Sequence, residues 1–366
     1  MENKTNLDIK DYQRLFSHNG LRFLINDIAM NGYSGLGLIS LVKEDNLTNY
    51  IPKSIIEKTS VEGLELYGSK KKFSLFVSNF REIYKKLVAF CDEILLDSQL
   101  SKTQIKELFD EYIEFISEYK KTEFIYVDKP YLESKKGNNS ELIDNLKEYE
   151  KVKFEFRGLI NVIFFGNSSY YQRILEKLAK QTNIDQEDLQ QYKSEEILGL
   201  FEGKKVDKNT IDERFYHNII IDDNNQFRHY WGNEAEEIIN HFFKNKEDNE
   251  LIRGTIVNRG KVRGIARVIK PSWHEGFTKV KEAMERMNKG DILISETTSP
   301  DIMVAIRKAG AIVTDQGGLM SHAAIMSREM NVPGIVGADK ATRLIKEGDL
   351  IEVDAYTGIV RILNRN

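Results

Sequence analysis

The sequence predicts an α+β protein with a mostly helical first part and a β-rich last third. From Phe80 to about Gln190, apolar residues recur at spacings of three and four, which is the period of an amphipathic helix. After about Leu251, short β-rich runs alternate with turns. The charged stretch 245–250, NKEDNE, separates the two patterns and is the predicted domain boundary.

Two helices of the first part can be predicted in detail. The first covers 81–96. The second follows Ser101, a residue type that caps helix N-termini, and keeps the helical period through 103–119. Cys91 lies within the first helix, where we expect a small core or boundary residue rather than a catalytic thiol. The first helix places four apolar residues on one face: Ile83, Leu87, Phe90 and Ile94.

Short strands and two helices are predicted after residue 251. Ser299-Pro300-Asp301 starts the first of these helices with a capping Ser and a Pro in the first turn, and the helix should end at Gly310. The second follows Ser321 and is stopped near Asn331 by Pro333. The predicted strands, the last two of which form a hairpin, are 252–257, 266–270, 291–295, 311–314, 334–336, 350–354 and 359–363.

Composition restricts the class of protein. With 366 residues, 41% hydrophobic and 30% charged, the chain can form two or three globular domains. We expect a cytoplasmic protein, because no run approaches the about 18 apolar residues of a membrane span and the N-terminus lacks an apolar signal core. Cys91 is the only cysteine, which excludes an internal disulfide. The six histidines lack metal-ligand spacing, so no metal site is expected.

Charge is unevenly distributed along the chain. The net charge of −4 argues against nucleic acid or an anionic membrane as partners. Residues 251–366 hold 18 Lys and Arg against 13 Asp and Glu, a net +5, which leaves −9 for residues 1–250. An anionic ligand at the C-terminal domain and a chance difference between two solvated surfaces explain this asymmetry equally well.

The most informative segment is 313–337, VTDQGGLMSHAAIMSREMNVPGIVG. Glycines within 315–318 permit a sharp turn or the close approach of a ligand, and Ser321 caps the helix that has His322 in its first turn. The positive end of the helix dipole favours a neutral, nucleophilic imidazole and stabilises a phosphoryl group bound to it. Position alone does not establish this role, because most histidines at helix starts are surface residues or caps.

This segment resembles the phosphohistidine signature of the PEP-utilising enzymes, which include phosphoenolpyruvate synthase, pyruvate phosphate dikinase, enzyme I of the sugar phosphotransferase system and rifampicin phosphotransferase. The residues that match are Gly317, Gly318, His322, Ala323, Ala324, Ile325, Met326, Ser327 and Arg328. The similarity continues through 297–300, 313–315, 332–337, 348–349, 353–354 and 358–360. Met320 departs from the signature, since synthase and dikinase relatives usually carry Thr at this position. The resulting motif Gly-Gly-Leu-Met is more similar to the rifampicin phosphotransferase branch.

The resemblance implies that 251–366 is a swivelling β/β/α domain in which His322 is the catalytic phosphoryl acceptor. Capping alone also explains Ser321, and Arg328 lies nearly two turns beyond the histidine, so that it reaches the site only by folding back. The resemblance assigns supporting or phosphate-binding roles to Gly317, Gly318, Ser321, Arg328 and Thr298.

The rest of the chain is less informative. Residues 193–250 are similar to the helical connector before the swivelling domain of these phosphotransferases, and 1–192 are predicted to be a mostly helical domain of unrecognised type. The glycine-rich loop at 31–37 matches neither a P-loop nor the dinucleotide fingerprint, and a simple chain turn explains it better than phosphate binding does.

Neither an ATP-grasp module nor a PEP-binding barrel is recognisable in the sequence. The resemblance therefore implies a phosphotransferase component whose His322 is charged by a separate ATP-grasp nucleotide-binding subunit, or by PEP, and serves a small-molecule acceptor. Mg2+ and ATP are then expected at the partner site, with no cofactor bound in this chain. In a variant of this hypothesis, the helical part of the chain supplies the acceptor site. The alternative is a non-catalytic binding or regulatory protein that keeps the swivelling domain as an interaction module. The intact histidine favours the phosphotransferase, because binding alone does not require a nucleophile.

Overall fold

The computed structural model describes residues 7–19, 22–43, 46–166, 168–223, 225–244, 251–269, 282–298 and 302–366. Two compact units are present, Met1–Lys246 and Glu247–Asn366. Helices and strands both make large contributions, which confirms the α+β class. Across these described ranges, no helix has the length and apolar character needed to cross a membrane.

The first unit is mostly helical, as predicted. Ser101 caps α4: the Ser101 Oγ accepts a hydrogen bond from the Gln104 amide (3.2 Å), and the Gln104 Oε1 accepts one from the Ser101 amide (2.9 Å). Its helices are α1 (Phe23–Gly32), α2 (Lys53–Tyr67), α3 (Lys70–Leu96), α4 (Lys102–Tyr119), α5 (Phe124–Ser134), α6 (Ser140–Phe164), α7 (Tyr170–Thr182), α8 (Gln186–Leu189), α9 (Ser194–Leu200), α10 (Lys208–Tyr216) and α11 (Gly232–Phe243).

Aromatic stacking joins the three longest helices. The Phe80 ring of α3 lies 4.9 Å from that of Phe115 in α4 and 3.8 Å from that of Phe156 in α6, measured between centroids. Cys91 is buried on the same helix as Phe80, and burial raises the pKa of its thiol to about 12. The expectation of a core or boundary residue at this position is therefore confirmed, with Cys91 in the core.

The described strands of the first unit form a five-stranded antiparallel sheet in the order β1-β3-β2-β4-β5. These strands are β1 (Tyr12–Asn19), β2 (Ile39–Lys43), β3 (Asn46–Pro52), β4 (His217–Asp223) and β5 (Gln226–Trp231). Helix α11 packs on this sheet through Ala235, Ile238 and Phe242.

Strands β4 and β5 correct the helical connector predicted over 193–250. Three consecutive isoleucines, 219–221, favour an extended strand, because β-branched side chains fit the pleated surface of a sheet. Strand β4 pairs directly with β2, with Ile221 opposite Ile39. The predicted division between residues 192 and 193 therefore falls inside one compact unit.

A buried carboxylate links α1 to α9 and β5. Asp27 accepts hydrogen bonds from the amide and the hydroxyl of Ser194, both at 2.7 Å, and lies 2.6 Å from the Nε2 of His229. Burial alone would raise the pKa of Asp27, but the hydrogen bond and charge of His229, together with Ser194, outweigh it and lower the pKa.

We expect this carboxylate to make the first unit acid-sensitive. Because the folded-state pKa is lowered, Asp27 stabilises the fold above its unfolded pKa of about 3.9 and loses this contribution as pH falls through the folded value. Thermal unfolding of the wild type and of Asp27→Asn, followed from pH 7 to pH 3, measures this. The difference in midpoint should be largest at neutral pH and shrink on acidification; a constant difference would contradict the prediction.

The described strands of the second unit form an eight-stranded sheet in the order β6-β13-β12-β8-β9-β10-β11-β7, in which β8 to β11 are parallel. Its helices include α12 (Met303–Lys308), α13 (His322–Glu329) and α14 (Ala341–Leu344), and residues 282–286 are also helical. Its strands are β6 (Ile252–Arg253), β7 (Thr255–Asn258), β8 (Lys261–Ile269), β9 (Ile292–Ser295), β10 (Ala311–Thr314), β11 (Gly334–Val336), β12 (Leu350–Asp354) and β13 (Ile359–Asn364).

The predicted strands of this unit are present, with two larger differences and shifts of one residue at other ends; Lys270, the predicted end of the run 266–270, lies outside the described residues. The run 252–257 is divided at Gly254, where a Cβ would lie 2.5 Å from the carbonyl oxygen of Val336. Strand β8 begins at Lys261, earlier than predicted, because this end pairs with β12. The helix start signal at 299–301 lies outside the described residues, and α12 ends at Lys308 rather than at Gly310.

Candidate functional site

Two loops meet beside the start of α13. Strands β9 and β10 are adjacent and parallel, with Ser295 opposite Thr314. Their carboxyl ends therefore lie at the same edge of the sheet, which is where ligands bind in parallel α/β sheets. The loop after β9 carries Thr298, and the loop after β10 leads into α13 and His322.

The structure places His322 at the first position of α13, as the sequence predicts. Ser321 is the N-cap, and its Oγ accepts a hydrogen bond from the amide of Ala324 at 3.3 Å. The imidazole therefore lies at the positive end of the helix, next to amide groups that the helix itself leaves without partners.

Thr298 and His322 are in direct contact. The Nδ1 of His322 lies 2.9 Å from the Oγ1 of Thr298, and the threonine is 8% exposed. When Nδ1–H donates to this oxygen, the lone pair is on Nε2, which makes Nε2 the nucleophilic nitrogen. A hydroxyl placed in this way can select the tautomer and hold the ring orientation.

The glycine turn before α13 is closely packed. Gly317 has a φ of 107°, and a Cβ on it would lie 2.8 Å from the Cβ of Ser321. Gly318 is buried, and its carbonyl accepts a hydrogen bond from the Ser321 amide at 3.0 Å. Both glycines therefore shape the backbone that sets the cap of α13.

We expect Gly317→Ala to lower the stability of the second unit. A non-glycine residue in this left-handed region costs about 1–3 kcal/mol, and the contact with Ser321 adds to it. Gly290→Ala is a matched control, because Gly290 has a φ of 93° but nothing within 4 Å of its added Cβ. In calorimetry of the full chain, Gly317→Ala should lower the unfolding temperature of the second unit more than Gly290→Ala does; equal shifts would contradict the predicted contact.

Arg328 folds back along its helix. It lies near the C-terminal end of α13, yet its Nη1 donates to the carbonyl oxygen of Leu319 at 2.9 Å. The guanidinium therefore contacts the loop that precedes the helix and braces the turn carrying Gly317 and Gly318. The Arg328 side chain thus folds back toward the start of its own helix, as the sequence analysis required for it to reach the segment around His322.

The sequence did not single out Asp315 as a positioning residue. Its carboxylate is buried and accepts hydrogen bonds from the amide (3.2 Å) and the hydroxyl (2.5 Å) of Thr342, at the start of α14. Its carbonyl oxygen accepts a hydrogen bond from the amide of Asp339 at 3.0 Å. An acidic residue directly before a glycine-rich turn is the one feature of the sequence that could have indicated this role. Its partner, Thr342, lies 27 residues further along the chain and could not be identified from the sequence.

Comparison with known proteins identifies a family that matches part of the second unit. Residues 287–358 match the family described as PEP-utilising enzyme, mobile domain. Phosphoenolpyruvate synthase of Aeropyrum pernix is 39% identical over 114 residues, which cover 31% of this chain and 13% of that protein. A probable phosphoenolpyruvate synthase of Archaeoglobus fulgidus is 38% identical over 127 residues, which cover 35% and 15%.

A third relative, a probable phosphoenolpyruvate synthase of Staphylothermus marinus, is 39% identical over 117 residues and 13% of its own length. The chain thus matches about one seventh of the length of these relatives. The matched segment contains both Thr298 and His322 and supports a phosphotransfer-related function. Residues 287–358 of this chain are therefore identified as a mobile domain of the kind found in PEP-utilising enzymes.

Proposed function

We propose that the chain is a phosphotransferase component in which His322 carries a phosphoryl group from a donor to a small-molecule acceptor. The observation that carries the proposal is the position of His322 at the start of α13, with its Nδ1 2.9 Å from the Thr298 hydroxyl. In the first step, the P–O bond of the donor breaks as a P–N bond forms at Nε2. In the second, this P–N bond breaks as a P–O bond to the acceptor forms.

The residues around His322 have distinct parts in this proposal. The helix N-terminus and the turn at Gly317 and Gly318 offer backbone amides to the phosphoryl oxygens, Ser321 caps the helix and Arg328 braces the turn. Phosphoryl transfer requires mostly positioning and charge stabilisation, and these groups supply both on the carrier side. The second unit would swivel between a charging site and an acceptor site.

We place the nucleotide site on a separate ATP-grasp subunit that holds Mg2+ and ATP, with PEP as the other possible donor. This part of the proposal rests on the sequence, in which no ATP-grasp or barrel pattern is recognisable. In the described part of the chain, no group of three His, Cys, Asp or Glu side chains could hold a metal ion.

A labelling experiment tests the proposal. The purified chain is incubated with an ATP-grasp partner and with ATP labelled at the β or the γ position, and in parallel with labelled PEP. We expect acid-labile, base-stable label, as for a phosphorus–nitrogen bond, and the position of the label identifies the transferred phosphate. Absence of label with every donor would count against the carrier and favour the interaction-module alternative.

Thr298→Val should slow charging without abolishing it. A neutral hydrogen bond contributes about 1 kcal/mol, so we expect the labelling rate to fall about threefold to tenfold. Thr298→Ser keeps the hydroxyl and is the matched control, with a rate near that of the wild type. Initial rates of label incorporation measure this effect; a valine variant as fast as the serine variant would show that the hydrogen bond does not orient the ring.

A further inference from the structure

The first unit contains a cavity of about 300 Å3 that has no part in the proposed role of His322. The cavity lies between the glycine-rich loop after α1, one side of α2 and the segment at 120–126, all within Met1–Lys246. Its size is that of a pocket for a small molecule. The lining residues that bear on ligand binding are Leu36, Ile55, Lys58, Glu62, Lys120 and Tyr126.

The lining carries more positive than negative charge. Lys121 is compensated by Glu118, with the Nζ and Oε2 atoms 2.7 Å apart. Lys58 and Lys120 form no ion pair within the described residues, and the Nζ of Lys120 reaches only the carbonyl oxygen of Ser34, at 3.4 Å. Burial, and then the neighbouring Lys121, lower the pKa of Lys120. The carboxylates of Glu62, Glu118 and Asp222 act in the opposite direction, as the charge of a bound anion would.

The glycine-rich loop adds hydrogen-bond donors. Gly35 and Gly37 have φ values of 82° and 61°. The loop is anchored at its far end, where the Gly37 amide donates to the Oδ2 of Asp222 at 3.0 Å. Next to this anchored amide, the amides of Gly35 and Leu36 donate no hydrogen bond to any described residue. Successive amides in a glycine-rich turn are a recurring way to bind anions.

Close helix packing fixes the opposite wall. A Cβ on Gly63 would lie 1.8 Å from the carbonyl oxygen of Tyr126, so α2 and α5 touch backbone to backbone. The Ser60 hydroxyl donates to the carbonyl oxygen of Ile125 at 3.3 Å across the same contact. This arrangement holds the Tyr126 side of the cavity against the α2 residues that line it, and provides a largely preformed apolar surface.

We infer that this cavity binds a small organic anion, with its carboxylate or phosphate group at Lys58 and Lys120 and its apolar body against Leu36, Ile55 and Tyr126. This binding goes beyond the proposed function, since it requires no transfer to or from His322. Only the further identification of the bound molecule as the phosphoryl acceptor rests on the proposed function.

Isothermal titration calorimetry of the full chain tests the binding. The probes are benzoate, phenyl phosphate, benzyl alcohol and inorganic phosphate, which separate the anionic group from the apolar body. We expect benzoate or phenyl phosphate to bind with one-to-one stoichiometry and at least about tenfold more tightly than benzyl alcohol or inorganic phosphate. The preferred one of the two anions identifies the group that the lysines bind.

Two variants locate the site. Lys58→Met and Lys120→Met should each weaken the preferred anion about tenfold, while Lys106→Met, which removes an exposed lysine of α4, should leave it unchanged. Unaltered circular dichroism excludes misfolding, and Lys58 is exposed, so its replacement should not disturb the core. Lack of binding by both organic anions, or equal affinity in all three variants, would overturn the inference. His322→Ala should bind the anion as the wild type does, which separates this result from any failure of phosphoryl transfer.

Discussion

Replacing His322 with alanine should reduce phosphoryl incorporation to the background level. In the proposed reaction the imidazole Nε2 forms the bond to phosphorus, and alanine offers no nucleophile in its place. His322 is the first residue of α13, but the N-cap hydrogen bond belongs to Ser321, so the helix should still form in the variant. The loss should therefore be chemical rather than structural.

The control for this result is His241→Ala. His241 is exposed on α11 in the first unit, and its removal should leave labelling unchanged. His322→Gln adds a second control, because it keeps a polar side chain at the position but lacks the nucleophilic ring. Label that persists in His322→Ala would transfer the role to another residue and contradict the assignment.

Arg214→Ala should give the largest loss of stability of the changes considered. The side chain is 1% exposed, and its Nη1 and Nη2 donate to the two carboxylate oxygens of Glu196 at 2.6 and 2.9 Å. Nη1 also donates to the carbonyl oxygen of Gln191 at 3.0 Å, and the guanidinium lies 4.3 Å from the ring centre of Trp231. Removing one partner of a buried ion pair costs about 3–5 kcal/mol, and we expect the lower end because Glu196 is 26% exposed.

Arg81→Ala is the matched comparison. Arg81 also forms a two-point ion pair, with both nitrogens 2.7 Å from the carboxylate oxygens of Glu155, but the two side chains are 48% and 39% exposed. Its loss should cost less than about 1 kcal/mol. Calorimetry of both variants measures the difference in unfolding temperature of the first unit. Similar small shifts would show that the contacts of Arg214 do not stabilise the fold.

Features with local causes could be predicted from the sequence. The Ser101 cap depends on residues three positions apart, and the buried face of α4 follows the helical period. Of the face predicted for α3, Leu87 and Ile94 are buried, whereas Ile83 and Phe90 are half-buried. The capping of α13 by Ser321, which places His322 at its first position, is equally local. For these elements the sequence pattern and the final contacts lie within one or two helical turns.

Features that depend on distant pairing could not be predicted in the same way. The contact between Thr298 and His322 arises because β9 and β10 are parallel neighbours. The contact between Asp315 and Thr342 joins the turn after β10 to the start of α14, 27 residues further along the chain. The strand character of β4 is visible in its isoleucines, but its pairing with β2 spans most of the first unit. Such pairings depend on tertiary packing, which overrides local propensity.

The sheet of the first unit has a consequence for the order of events during synthesis. Strands β1 to β3 leave the ribosome early, whereas β4, which completes the sheet beside β2, follows only after the helices between residues 53 and 216. Until then, the β2 edge presents unpaired amides and carbonyls together with Ile39 and Leu41, a combination that promotes association between nascent chains. A fragment ending at residue 192 would keep that edge permanently, so expression of the first unit should extend through α11, whose apolar face covers the completed sheet.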